Sequence, residues 1–182
     1  MKKYLLVLST IFTSLLIYSC EESPEMNHSN FTVNINGKDY IYTTKTSHHY
    51  ADREIGFGDM QIMGENAEYG ELSHCVINIE YKMQGDGEYT ITNLATLNSE
   101  VEARTNNKYV HVHVNLGKDF KENIAKYRFP DREGSTIAVN EEGGYYDFTF
   151  FEPVSLNKTN YLGNPPSNAP FNIKLKVSKV YL

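Results

Sequence analysis

A chain of 182 residues is long enough to build one domain around a sizeable core and short for two. Its 17 Lys and Arg against 23 Asp and Glu, a formal charge of −6, argue against nucleic acid as a partner, because phosphate binding needs clustered positive charge. A hydrophobic content of 40% with 14 Tyr excludes a disordered chain, and two Cys are too few for a disulfide scaffold or an all-Cys zinc site.

The chain opens with Lys2 and Lys3, followed by the mostly apolar stretch Tyr4–Tyr18. That stretch is shorter than the ~20 residues a membrane-spanning helix needs, and Ser9, Thr10, Thr13 and Ser14 dilute it, so it reads as a secretory signal. Leu16-Ile17-Tyr18-Ser19-Cys20 resembles the bacterial lipobox: an aliphatic residue, a small residue immediately before the Cys, and the Cys itself. The resemblance implies that the Cys20 thiol receives a diacylglyceryl group, that residues 1–19 are removed and that the new amine is acylated. Several chains are needed because one alone anchors only marginally. The alternative is an ordinary signal peptide that happens to precede a Cys.

Residues 20–30 then form a tether. Its Glu21-Glu22-Ser23-Pro24-Glu25 run resembles the acidic export tag of surface-exposed lipoproteins of Bacteroidota; the plainer reading is a soluble spacer. The expectation is a protein held by a covalent lipid in the outer membrane of a bacterial cell envelope, with residues 31–182 as a single β domain. Removing residues 1–19 takes away Lys2 and Lys3 and no acid, which leaves 163 residues, a formal charge of −8 and Cys75 as the one unmodified Cys.

Phe31–Asn36 alternates, with Phe31, Val33 and Ile35 on one face, and Asn36-Gly37 predicts a hairpin returning through Lys38–Thr44. Residues 45–57 read as a polar loop and Asp59–Met63 as a short strand. Leu72–Tyr81 puts Cys75, Ile77, Ile79 and Tyr81 on one face, with His74, Val76, Asn78 and Glu80 on the other. After turn chemistry at 84–87 comes Glu88–Thr92, and then Lys108–Asn115, where Val110, Val112 and Val114 alternate with Tyr109, His111 and His113. Asp119–Tyr127 is the one helix expected: Asp119 and Glu122 resemble a capping box, and Phe120, Ile124 and Tyr127 share a helical face. Ser135–Asn140, a turn at 141–144 and Tyr145–Glu152 form a hairpin. Residues 153–170 read as a long loop, and Phe171–Val177 as a closing strand.

This pattern predicts an all-β fold, an antiparallel β-sandwich or partly open barrel of about eight strands with at most one short helix. FTVNINGKDY, GEYTITN, the GSTIAVNEEGGYYDFTFFE hairpin and the closing strand resemble, in that order, small lipoproteins of Bacteroidota that open with a Phe-x-Val-x-Ile-Asn-Gly-Lys hairpin. The insertion at Asn157–Pro170 is a departure from them. The resemblance implies a β-sandwich lipoprotein and no chemistry.

His111-Val112-His113 is the spacing most suggestive of chemistry, because residues i and i+2 of a strand project from one face and two imidazoles could converge on a divalent metal. The spacing resembles the His-x-His strands of cupins and carbonic anhydrases. A Glu four or five residues on, as in cupins, is replaced by Gly117 and Lys118, and a third ligand would have to come from His48, His49 or His74. The alternative is two solvent-facing imidazoles on a half-exposed strand. His74 and Cys75 are adjacent on a strand and therefore face opposite ways, so Cys75 reads as a buried thiol rather than a nucleophile.

No Gly-x-Ser-x-Gly elbow, dinucleotide fingerprint, P-loop or calcium loop is present. In the aromatic strand Tyr145–Phe151, the face carrying Tyr146, Phe148 and Phe150 is expected in the core. Tyr145 and Phe151 on the other face would meet either residues 153–170 or a protein partner. Three functions follow: a non-catalytic binding or structural module of the envelope, an immunity or inhibitor protein against a secreted toxin or enzyme, and a metal-binding protein or metalloenzyme using His111 and His113.

Overall fold

The computed structural model describes residues 30–129, 135–142 and 145–176. Cys20 and most of the tether therefore lie outside the described residues, as do the second half of the 141–144 turn and the last residue of the closing strand. Eleven strands form one mixed sheet: β1 (Asn30–Ile35), β2 (Lys38–Asp52), β3 (Phe57–Glu65), β4 (His74–Lys82), β5 (Gly87–Ile91), β6 (Tyr109–Gly117), β7 (Ile124–Arg128), β8 (Thr136–Glu142), β9 (Tyr145–Phe150), β10 (Val154–Leu162) and β11 (Asn172–Lys176). A 3-10 turn spans Ala67–Leu72, and helix α1 spans Leu94–Glu102.

Eight strands follow one another around a ring of antiparallel pairings. The order β4-β3-β2-β1-β11-β10-β7-β6 is closed by the pairing of β6 with β4. The meander is interrupted twice. Between β4 and β6 the chain inserts β5 and α1, and between β7 and β10 it inserts the β8–β9 hairpin. The two insertions pair with each other through β5 and β8. β5 also joins β6 in parallel at Thr90↔Tyr109 and Ile91↔Val110, which makes β5-α1-β6 a parallel crossover with a helix in the connection.

Strand alternation sorts the side chains. Ile62, Ile77, Val114 and Tyr127 stand opposite one another on consecutive strands and face inward, all with no accessible surface. Phe31, Tyr42, Met60, Ile79, Tyr81, Val112, Leu156 and Leu175 continue the same core. Phe148 of β9 packs edge-on to Tyr81 with ring centroids 5.2 Å apart, so the inserted hairpin contributes to that core as well. Asn36 and Gly37 both adopt positive φ, 51° and 84°, as the first hairpin turn requires. Phe148 and Phe150 are buried as expected, and Phe151 is 56% exposed. Tyr145 begins β9 opposite Glu142.

Four expectations need correction. Among the described residues the strands number eleven rather than about eight, and one pairing is parallel. The helix expected over Asp119–Tyr127 does not form. Asp119 Oδ1 accepts from Lys121 N and Glu122 N, as a helix cap would, but Asn123 turns to φ 49° and Ile124 then pairs with Gly117 as the start of β7. The cap signal closes a turn, and the burial of Ile124, Ala125 and Tyr127 in the sheet outweighs a three-residue helical face.

The helix stands instead at Leu94–Glu102, where Asn93 caps Thr96 N at 2.8 Å and Leu97 is fully buried. Residues 45–57 are largely strand, because a register shift between Thr44 and Thr46 lets β2 run on to Asp52. Residues 153–170 are half strand, because Val154 and Leu156 enter the core.

Gly58 is a close-approach position. A Cβ there would lie 2.4 Å from the Tyr81 ring, whose hydroxyl bonds His49 Nε2 at 2.8 Å. Gly58→Ala is expected to displace Tyr81 from His49 and Phe148 and to lower stability by about 1–3 kcal/mol, read from urea unfolding.

Candidate functional site

The outward faces of β3, β4, β6 and β7 carry two adjacent polar rows. One runs Asp59–Glu80–His111 and the next Gln61–Asn78–His113–Arg128. These are the places that alternation leaves over once Met60, Ile62, Ile77, Ile79, Val112 and Val114 turn inward. The rows are solvated unevenly: Arg128 is exposed and Asp59, Gln61, Glu80 and His113 are half-buried, whereas Asn78 and His111 are buried. Asn78 is 7% and His111 1% exposed, and α1 packs on β4 and β6. β6 is thus buried on both faces over part of its length, and the two imidazoles do not share one solvent-facing environment.

His111 has a defined tautomer. Its Nδ1 lies 2.9 Å from the carbonyl oxygen of Thr92, an acceptor only, so Nδ1 carries the hydrogen and Nε2 presents a bare lone pair. That Nε2 is buried and meets no hydrogen-bond partner among the described residues; the same holds for Asp59 Oδ1 and Asn115 Oδ1 on the same face. Two of the three, Nε2 and the Asn115 oxygen, are acceptors only, and a buried acceptor without a donor costs about 1–3 kcal/mol. Gln61 and Asn78 satisfy each other through a 2.8 Å bond.

His113 sits beside His111 with ring centroids 5.8 Å apart, and its Nδ1 is 3.7 Å from Glu80 Oε1. Burial, the neighbouring His111, and the positive charges of Arg128 and Lys126 push the His113 imidazole down to about 4. It is neutral at pH 7, and its approach to Glu80 is a polar contact rather than a pair of full charges. His111 is likewise lowered, chiefly by burial. Glu80 is raised by burial and by Asp59, with Arg128 opposing, and Asp59 is raised by burial. Acids that keep protons and bases that shed them are what a crowded, poorly hydrated group of ionisable side chains produces.

His111 and His113 are therefore brought together, but among the described residues no three His, Cys, Asp or Glu side chains stand where they could hold one metal ion. Arg128 and Lys126 add positive charge where an ion would sit. The other candidate ligands are elsewhere. His48 is exposed on β2, and His49 bonds Tyr81. His74 packs edge-on to Phe120 at 4.4 Å and meets Ser73 through Nδ1.

Cys75 is fully buried among Ile77 and its neighbours, and burial pushes its thiol well up, which makes it a poor nucleophile. Sequence reasoning assigned no role to Asp59, Glu80 or Arg128. The available signal was strand register, since Glu80 and Asn78 share a predicted face with His74, but which strand lies beside which was not legible.

A second surface feature is a groove of about 250 Å³ lined by Asn34, Asn36, Ser155, Asn157, Asn172 and Lys174 from β1, β10, β11 and the first hairpin turn. Its amides are polar and uncharged, and Asn34 is already engaged with Asp39 and with Gly37 N.

The depressed His113 gives a pH dependence with a definite sign. The unfolded chain takes up a proton near 6.5, and the native site resists it until about 4, so this residue lowers stability as pH falls between those values. The amplitude is on the order of 3 kcal/mol, with Asp59 and Glu80 contributing in the opposite direction. His113→Gln is expected to flatten the fall in unfolding free energy from pH 6.5 to 4, measured by urea titration at each pH. Compared with known proteins, the chain matches no family model, no curated protein and no solved structure.

Proposed function

We propose that the chain is a lipid-anchored protein of the bacterial cell envelope, whose β domain acts as a non-catalytic binding or structural module through its surface. The observation that carries this reading is the order of signals in the first 25 residues. Lys2 and Lys3, the apolar stretch, Leu16-Ile17-Tyr18-Ser19-Cys20 and the acidic run 21–25 each serve a separate step of export and anchoring. The tether then hands the chain to a domain whose first described residue, Asn30, already belongs to β1.

The fold supports a surface role. The inward side chains from Phe31 and Tyr42 through Val112 to Leu175 have no accessible surface, so partners would meet the outside of the ring. We read that ring as a partly open, barrel-like body with the β5-β8-β9 extension attached to one of its strands. Among the described residues no helix is long and apolar enough to cross a membrane, so attachment on this reading rests on the lipid at Cys20.

The test is metabolic labelling with a palmitate analogue in a bacterium that processes lipoproteins. The wild-type chain is expected to take up label and pellet with membranes, and Cys20→Ser to do neither. An unlabelled wild-type chain in the soluble fraction would overturn the reading.

A further inference from the structure

We propose that α1, with the β5–β6 crossover that carries it, is an acid-released flap, and that His111 is the latch beneath it. The flap is held at both ends and in the middle. His111 donates from Nδ1 to the carbonyl of Thr92, the residue before the helix cap Asn93. Thr92 N in turn bonds Val110 O at 2.8 Å. Leu97 is wholly buried at the middle of α1, which packs on β4 and β6. Past the far end, the Lys82 ammonium, on a side chain 2% exposed, donates to the carbonyl and hydroxyl oxygens of Thr105, and that hydroxyl donates to Glu100.

Two of these three holds do not depend on mild acid. At His111 the Nδ1–H bond to Thr92 survives protonation, but burial of the charged ring, the larger effect, opposes the closed form in acid. A proton on its buried Nε2 would create a charged N–H where no acceptor of the described residues stands. The charges around it do not offset this. β6 itself brings His113, and β7 brings Arg128 and Lys126, all neutral or positive. β4 brings Glu80 and Lys82, and β3 brings Asp59. Both of those carboxyls hold their protons to higher pH than usual, so they are least available as counter-charges when the imidazole would need one. Glu100 on α1 stays ionised, held low by Thr105 and Asn107, and is engaged with them. Lifting α1 lets water reach Nε2 and removes the penalty, so the open form takes the proton in preference to the closed form.

One proton bound preferentially by the open form raises the opening equilibrium by up to tenfold per pH unit below the ordinary histidine value of 6.5. The local nature of the change separates it from acid unfolding of the whole domain.

The test is hydrogen–deuterium exchange of the full chain between about pH 7 and about pH 5, with rates corrected for intrinsic exchange. Peptides covering 93–108 are expected to lose protection as pH falls while peptides of β3 and β4 keep theirs. In His111→Gln the 93–108 peptides should show no such pH slope. Unchanged protection of 93–108, simultaneous loss in β3 and β4, or a wild-type slope in His111→Gln would each overturn the proposal. If His111→Gln does not fold, Arg128→Gln decides. Removing the positive charge that opposes a proton on His111 lets the closed form accept it more readily, so acid opening should shrink, and an unchanged slope would overturn the proposal.

Discussion

Both edges of β6 are occupied, and one of them is shared. Along one side it bonds β4 from Val110 to Gly117, which closes the eight-strand ring. Along the other it bonds β5 through its first two residues and β7 from His113 onward. A strand has only two hydrogen-bonding edges, so the sheet forks there: the ring continues through β7, and the extension β5-β8-β9 departs from the start of β6. The fork explains why the two insertions in the meander lie together. It also explains why α1 lies over β4 and β6, because a crossover between adjacent parallel strands has to pass over one face of the sheet, and the inner face is filled.

The chemistry of the outer face follows from this arrangement. A polar row on an exposed sheet is ordinary, whereas here Asn78 and His111 are cut off from water. His111 is neutral and half satisfied, Glu80 and Asp59 hold protons longer, and Lys82 needs Thr105 as a partner. These groups weaken the domain locally compared with an apolar packing of the same volume. They also make the attachment of α1 responsive to protons, which an apolar contact would not be.

Much of the fold was legible in the chain. The alternations at Phe31–Ile35, His74–Tyr81 and Tyr109–Asn115, the Asn36-Gly37 turn and the burial of Cys75 all follow from strand periodicity and turn chemistry, which are local. What misled were local signals with two uses. Asp119 with Glu122 makes the same side-chain-to-backbone bonds in a turn as in a helix cap, and only the pairing of Ile124 with Gly117 separates the two. The polar composition of residues 45–57 looked like a loop, yet β2 is extended there by its neighbour β3, a partner supplied from elsewhere in the chain.

The sequence by itself determined the strand faces and the inward set of hydrophobic residues, because each depends on spacing along the backbone. Only the tertiary structure decided that β6 meets β4, that α1 packs on β4 and β6 beside a buried His111 and that Asp59, Glu80 and Arg128 join the imidazoles. Those outcomes depend on which strand becomes whose neighbour, a choice made by ring closure and by the burial of whole faces. A strand's own alternation is the same whether its outer face meets water or a helix.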